Sequence, residues 1–184
     1  INIYILLAIF FAGASLLTYL IIYVPRFDYI QGRIFSFFNR ETGTHNFQSD
    51  KAIESITSGG FFGKGIGEGV LKNRVPEAHT DYIISVISEE FGVVAIMLIL
   101  LLFLILIYMV FKKISFETND KVKLILIGCI SLILMQATIH VGVNIRLFPT
   151  TGMTLPFLSY GGSSIISTSI LAGIILNLTK RKIT

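Results

Sequence analysis

The stretch GVVAIMLILLLFLILIYMVF, residues 92–111, decides the fold. Its twenty residues contain no charge and no proline. About 20 apolar residues in a helix cover about 30 Å of hydrocarbon. Working outward, three more runs have that length. Residues 3–24 carry no charge, 124–143 are apolar but include Ser131, Gln136, Thr138 and His140, and 157–178 are apolar after a polar, glycine-rich opening. One such run can be a buried core helix, but four in 184 residues cannot share one small core. A β-barrel needs short alternating segments, and these are absent. The expected fold is an all-α integral membrane protein with four transmembrane helices and one large extracytoplasmic loop. Composition agrees. The chain is 53% hydrophobic and 14% charged, with a mean hydropathy of +0.78, against about 45–50% and about 25% in soluble domains. Disorder is excluded on the same ground. The single cysteine, Cys129, excludes an internal disulfide and a multi-cysteine metal site.

The connections set the orientation. Residues 112–123 carry Lys112, Lys113, Lys121 and Lys123 against Glu117 and Asp120, and the tail 179–184 carries Lys180, Arg181 and Lys182 and no acid. Lysine and arginine in short loops mark the cytoplasmic side. These segments hold a net +5, whereas residues 25–91 hold seven bases and nine acids. The pI near 9.2 therefore reflects topology and not a nucleic-acid partner. The expected order is span 1–24, outer loop 25–91, span 92–111, inner loop 112–123, span 124–143, outer loop 144–156, span 157–178 and inner tail 179–184, with both termini cytoplasmic. The chain opens without Met directly at a span and has no signal-peptide pattern, as a piece of a longer protein would. A loop as long as 25–91 is functional or disordered.

Within it, DKAIESITS (50–58) places Ala52, Ile53 and Ile56 at helical spacing, which predicts a short amphipathic helix on the membrane surface. GGFFGKGIGEG follows, with glycines at 59, 60, 63, 65, 67 and 69. Such a loop can bring backbone N–H groups close to an anion; a turn-rich linker is the other reading. It is not a nucleotide P-loop, because Ser58 stands where the first glycine belongs and Gly65 follows Lys64. Glu77, His79 and Asp81 then fall within five residues. Thr80 is a candidate N-cap, with Asp81 in the first turn of a helix toward Gly92. These carboxylates are either ordinary helix-start residues or a general base tuned by its neighbours.

Gln136, His140 and Asn144 are spaced by four and share one helix face. Polar groups at membrane depth hydrogen-bond between helices or face a cavity. Pro149, Gly152 and Pro156 break any helix through 146–164. Tyr160, Gly161, Gly162, Ser163 and Ser164 then enter as irregular backbone, tolerated at depth only where it is buried in protein or lines a cavity.

Three blocks, GGFFGKGIGEGVLKNRVPEAHTDYIISVISEEFG (59–92), LFPTTGMTLP (147–156) and SYGGSS (159–164), resemble the SEDS family (shape, elongation, division, sporulation) of bacterial cell-wall synthesis. Arg33-Ile34-Phe35-Ser36-Phe37 with Gln48 adds a weaker block. TTGMTLPFLSYGGSS looks more like the division member FtsW than the elongation member RodA, in which a proline more often stands where this chain has Thr154.

The resemblance implies the last four of ten spans, with the first six outside this chain. It implies a glycosyltransferase that polymerises lipid II into glycan strands in the cytoplasmic membrane during division, with undecaprenyl pyrophosphate as leaving group. The catalytic aspartate carries over onto Asp81, with Glu77 and His79 in support. Negative charge developing on the leaving group calls for cationic or N–H partners. The candidates are Lys64, Lys72 and Arg74, the backbone at Gly63, Gly65 and Gly67, and a divalent cation, magnesium or manganese. Gln136, His140, Asn144, Ser159, Tyr160, Gly161, Gly162, Ser163 and Ser164 would line the cavity. Implied partners are lipid II, undecaprenyl-pyrophosphate-linked glycan, a class B penicillin-binding transpeptidase, other division-complex membrane proteins and membrane lipid. An elongation polymerase, a lipid II flippase and a non-catalytic scaffold or inactive fragment are the competing expectations.

Overall fold

The computed structural model describes residues 2–38, 44–75 and 78–180. Among them, every regular element is helical. They are α1 (Ile3–Tyr23), a 3-10 turn (Pro25–Phe27), α2 (Asp28–Phe38), α3 (Thr44–Gly59), α4 (Leu71–Arg74), α5 (Ile83–Phe116), α6 (Asp120–Asn144) and α7 (Gly162–Thr179). α1, α5, α6 and α7 are long and apolar enough to cross a membrane. The chain divides into two compact units, Ile1–Phe47 and Gln48–Thr184.

In the first unit α1 stops at Pro25, whose ring removes the N–H a further turn needs. The carbonyls freed at Ile21 and Ile22 accept from the Gln31 side-chain amide at 2.7 and 3.0 Å. One side chain of α2 thus satisfies the end of α1.

In the second unit α5, α6 and α7 pack as an up-down-up bundle. At one end Val110, Leu126, Cys129, Ile130, Ile133 and Ile175 form a core, and Asn119 caps α6 by accepting from the Lys121 N–H at 3.0 Å. At the other end the start of α5, the end of α6 and the start of α7 meet the segment 145–161. Ala52, Leu71, Val75, Ala78, Tyr82, Val86 and Val143 there form a second core that includes α3 and α4.

Two local expectations change. α3 does not lie alone on a surface. Its buried stripe is Ser49, Ala52, Ser55 and Gly59, and a Cβ on Gly59 would come 2.0 Å from the Ser88 carbonyl oxygen. Small residues let α3 approach α5 closely, while Ile53 and Ile56 are only half-buried. Thr80 does not cap α5. The cap position belongs to Tyr82, without a side-chain bond, and Asp81 precedes it in a turn. Tertiary bonds hold that turn in place of a cap.

α6 ends in a Schellman arrangement, with Leu147 N–H on the Gly142 carbonyl and Arg146 N–H on that of Val143. The left-handed position is held by Arg146 (φ 59) where glycine is usual. The Arg146 guanidinium pairs with Asp50 on α3, which gives the larger residue a use there.

Candidate active site

Asp81 is half-buried. The turn that carries it is gripped through three consecutive carbonyls. The Tyr160 N–H donates to His79 at 3.2 Å, the Ser159 hydroxyl to Thr80 at 2.8 Å and the Asn144 amide to Asp81 at 3.0 Å. Gly152 (φ 71) approaches the carboxylate, and a Cβ there would sit 3.7 Å from Asp81 Oδ2. The carboxylate therefore faces the backbone of the TTGMT segment, which lies beyond α5 and α6 in sequence but adjacent in space.

Asn144 has every hydrogen-bonding position filled. Its Oδ1 accepts from the Ser85 N–H at 3.2 Å and hydroxyl at 2.7 Å, and its Nδ2 donates to Asp81 and, at 2.9 Å, to His140. The other two polar residues of that face grip the TTGMT segment. His140 Nδ1 bonds the Met153 carbonyl at 2.8 Å, and because a carbonyl only accepts, Nδ1 carries the proton. Its buried Nε2 has no partner among the described residues. Gln136 Nε2 donates to Thr154 O and Ser164 Oγ at 2.9 and 3.0 Å. The Thr154 hydroxyl bonds Ser164 at 2.7 Å, and the Ser159 hydroxyl takes the Leu155 N–H at 2.7 Å. Asn144 thus bonds Ser85 of α5 and Gln136 bonds Ser164 of α7, while the other bonds of this face go to the turns at Asp81 and Met153–Thr154. Gly162, Ser163 and Ser164, expected as irregular backbone, open α7. Tyr160, Gly162 and Ser163 are exposed, and Gly161 and Ser164 half-buried. Glu77 lies outside the described residues, Lys72 is described by its backbone within α4, and His79 is exposed.

A polar cleft of about 140 Å³ opens between α3, α4 and α5, walled by Lys51, Glu54, Ser55, Lys64, Arg74 and Glu89. Glu89 anchors it. Only 2% of it is exposed. It accepts the N–H groups of Val70 and Leu71 at 3.0 Å each and the Lys64 ammonium at 2.9 Å. Sequence reasoning passed over Glu89; the signal was an acidic pair, Glu89-Glu90, three residues ahead of twenty uncharged ones. The Lys51 ammonium, hydrogen-bonded to Glu54, holds that carboxyl below the usual carboxylate range. Arg74 is exposed and has no ion pair among the described residues. Among the described cations lining the cleft it is the one held in no ion pair, and its charge adds to the lowering of the Glu54 carboxyl.

The glycine loop does something other than expected. α5 is broken at Gly92 (φ 81), and the loop replaces the lost bonds. Lys64 and Gly65 N–H groups take the Glu89 and Glu90 carbonyls at 2.9 and 3.1 Å, and Val93 and Val94 donate to Gly60 and Phe61 at 3.0 and 3.3 Å. Gly63 N–H closes on Gly59 O at 2.8 Å. The N–H groups of Gly63 and Gly65 thus face carbonyl oxygens, and the Lys64 ammonium faces Glu89, so in this conformation none of the three is aimed at a phosphate. Gly67 also has an interaction of its own. Neither a flexible linker nor an open anion cradle describes the loop; it splints a broken helix.

The model of the FtsW/RodA/SpoVE family, described as cell cycle protein, matches residues 1–183. Proteins named "Probable peptidoglycan glycosyltransferase FtsW" are similar over most of this chain. The Enterococcus hirae protein is 39% identical over 74% of this chain and 35% of its own length. For Caulobacter vibrioides the values are 38%, 85% and 40%, and for Geobacter metallireducens 36%, 90% and 45%. A chain of a solved peptidoglycan synthase complex, one that coordinates polymerization and crosslinking, superposes with a TM-score of 0.68 at 28% identity, over 95% of this chain and 47% of that one. The chain thus spans less than half the length of these relatives. With four apolar helices of membrane-crossing length and a match along its whole extent, the chain is a multi-pass membrane protein and belongs to the FtsW/RodA/SpoVE family.

Proposed function

We propose that this chain carries the catalytic aspartate of a peptidoglycan glycosyltransferase that polymerises lipid II in the cytoplasmic membrane during division. The observation that supports this reading best is the immobilised turn at Asp81. A general base must be held within hydrogen-bond reach of the proton it takes. Here a half-buried carboxylate stands on a backbone fixed by three bonds from α6 and the segment before α7.

In this reading Asp81 accepts the proton of the 4-hydroxyl on the acceptor N-acetylglucosamine. That oxygen bonds to C1 of the donor N-acetylmuramic acid as the C1–oxygen bond to undecaprenyl pyrophosphate breaks, with inversion. The leaving pyrophosphate takes up the negative charge, and Arg74 is the residue of the cleft best able to receive it. His79 and Glu77 precede Asp81 by two and four residues in the sequence, and in this reading they support it as the base. Among the described residues no three His, Cys, Asp or Glu side chains converge. The steps above use the chain's own side chains; a magnesium or manganese ion, if bound, would add charge stabilisation for the leaving pyrophosphate. The rest of the family's length would supply the remaining walls of the cavity, and a class B penicillin-binding protein the cross-linking step.

The test is Asp81→Asn in a full-length family member carrying this segment, assayed for glycan polymerisation from lipid II. The expected loss is about 10²–10⁴-fold. An unchanged rate would remove Asp81 as the base.

A further inference from the structure

The glycine loop carries three large apolar side chains that the fold leaves uncovered. Phe61, Phe62 and Ile66 are 76%, 86% and 80% exposed. The loop is not free to tuck them away. Its backbone is tied to α5 by the bonds from Lys64, Gly65, Val93 and Val94. Two glycines lock the fit: a Cβ on Gly63 would lie 2.2 Å from the Glu90 carbonyl oxygen, and one on Gly92 2.2 Å from that of Phe61. Apolar side chains displayed on a rigid backbone mark a contact surface, because the ordering cost is already met by the fold.

The height of the loop identifies its partner. Gly60 and Phe61 accept from Val93 and Val94, the first residues of the uncharged run 92–111. The Phe61 backbone therefore lies level with the first turn of that membrane-crossing stretch. Val94, Met97, Leu98 and Leu101 continue downward from there as exposed apolar side chains. Phe61 and Phe62 thus extend the exposed apolar surface of a helix long and apolar enough to cross a membrane. The Lys64 ammonium beside them is drawn onto Glu89, and the exposed Glu68, two residues after Ile66, marks the side of the loop that stays with the headgroups and water.

We infer that Phe61, Phe62 and Ile66 insert into the outer leaflet of the bilayer at the boundary of headgroups and acyl chains, and so fix the polar cleft of Lys51, Lys64 and Arg74 at headgroup depth. Apolar side chains of an interfacial element bury themselves at that boundary. The inference is independent of the proposed catalytic role, since it concerns where the loop sits and not what Asp81 does.

The chain contains no tryptophan, so a single introduced one reports alone. Phe62→Trp and, separately, Ile66→Trp are placed in the chain reconstituted in phosphatidylcholine–phosphatidylglycerol vesicles. Leu101→Trp serves as the deep reference and Thr118→Trp as the water-exposed one. Emission is read with lipids brominated at shallow or deep acyl positions and with aqueous iodide. The expected result at positions 62 and 66 is blue-shifted emission, quenched more by shallow than by deep bromines and protected from iodide. Red emission quenched by iodide would overturn the inference by placing the loop in water. Blue emission untouched by either bromine would overturn it by showing that protein, not lipid, covers the loop. If Phe62→Trp fails to fold, Ile66→Trp decides, since no close backbone approach involves that position.

Discussion

Asn144 is the residue on which the candidate site depends most. It is fully buried, and it joins the Asp81 turn, the first turn of α5 and its own helix through four bonds. Asn144→Ala leaves the Ser85 hydroxyl and the Asp81 carbonyl buried without this partner. Each orphaned group costs about 1–3 kcal/mol. The expected destabilisation is about 2–4 kcal/mol, read as a lower melting temperature of the detergent-solubilised protein. Asn144→Asp keeps the acceptor for Ser85 but loses both donations, so it should also fall below the parent. A melting temperature unchanged in both variants would remove Asn144 as the tie. Its spacing with Gln136 and His140 was legible in the sequence, but its partners were not. Ser85 lies 59 residues away along the chain and Asp81 63. The same holds for Ser159, which the sequence suggests as part of a cavity wall and the fold uses to hold Thr80.

The break in α5 is the feature that sets the outer elements in place. A helix interrupted at membrane depth must have its freed groups bonded elsewhere, and the loop after α3 supplies those bonds. Gly63→Ala and Gly92→Ala each force a Cβ against a backbone carbonyl at a positive φ, where nothing flexible can yield. Each should destabilise by about 3 kcal/mol or more. Gly128→Ala, on an exposed face of α6 with nothing within 4 Å of its Cβ, should be neutral or stabilising by up to about 1 kcal/mol. The measurement is thermal unfolding of the three variants side by side; equal melting temperatures would count against the splint. Composition marked this loop as glycine-rich but left its purpose open. An anion cradle and a packed splint both need positive φ and close backbone approach, and only the position of Glu89, Glu90 and Gly92 against it tells them apart.

For the whole molecule the orientation proposed from lysine placement is testable with one chemical group. Cys129 is the single cysteine and is buried. In a Cys129→Ala background, Glu68→Cys should react with a membrane-impermeant maleimide on intact cells. Thr118→Cys should react only after permeabilisation. The reverse pattern would invert the topology. Helical class, span number and the charge difference between loops were determined by the sequence alone. These depend on runs of neighbouring residues, and a span needs only length and apolarity to be stable in hydrocarbon. The PEAHTD and SYGGSS blocks were visible too, as separate strings. That the second block holds the first was decided by tertiary structure, through the Ser159–Thr80 bond, 79 residues apart in sequence, and the Tyr160–His79 bond beside it. So were the turn at Asp81, the buried role of Glu89 and the splinting of Gly92. Such bonds exist only once α5, α6 and α7 have packed, and no local pattern records which carbonyl a distant amide will meet.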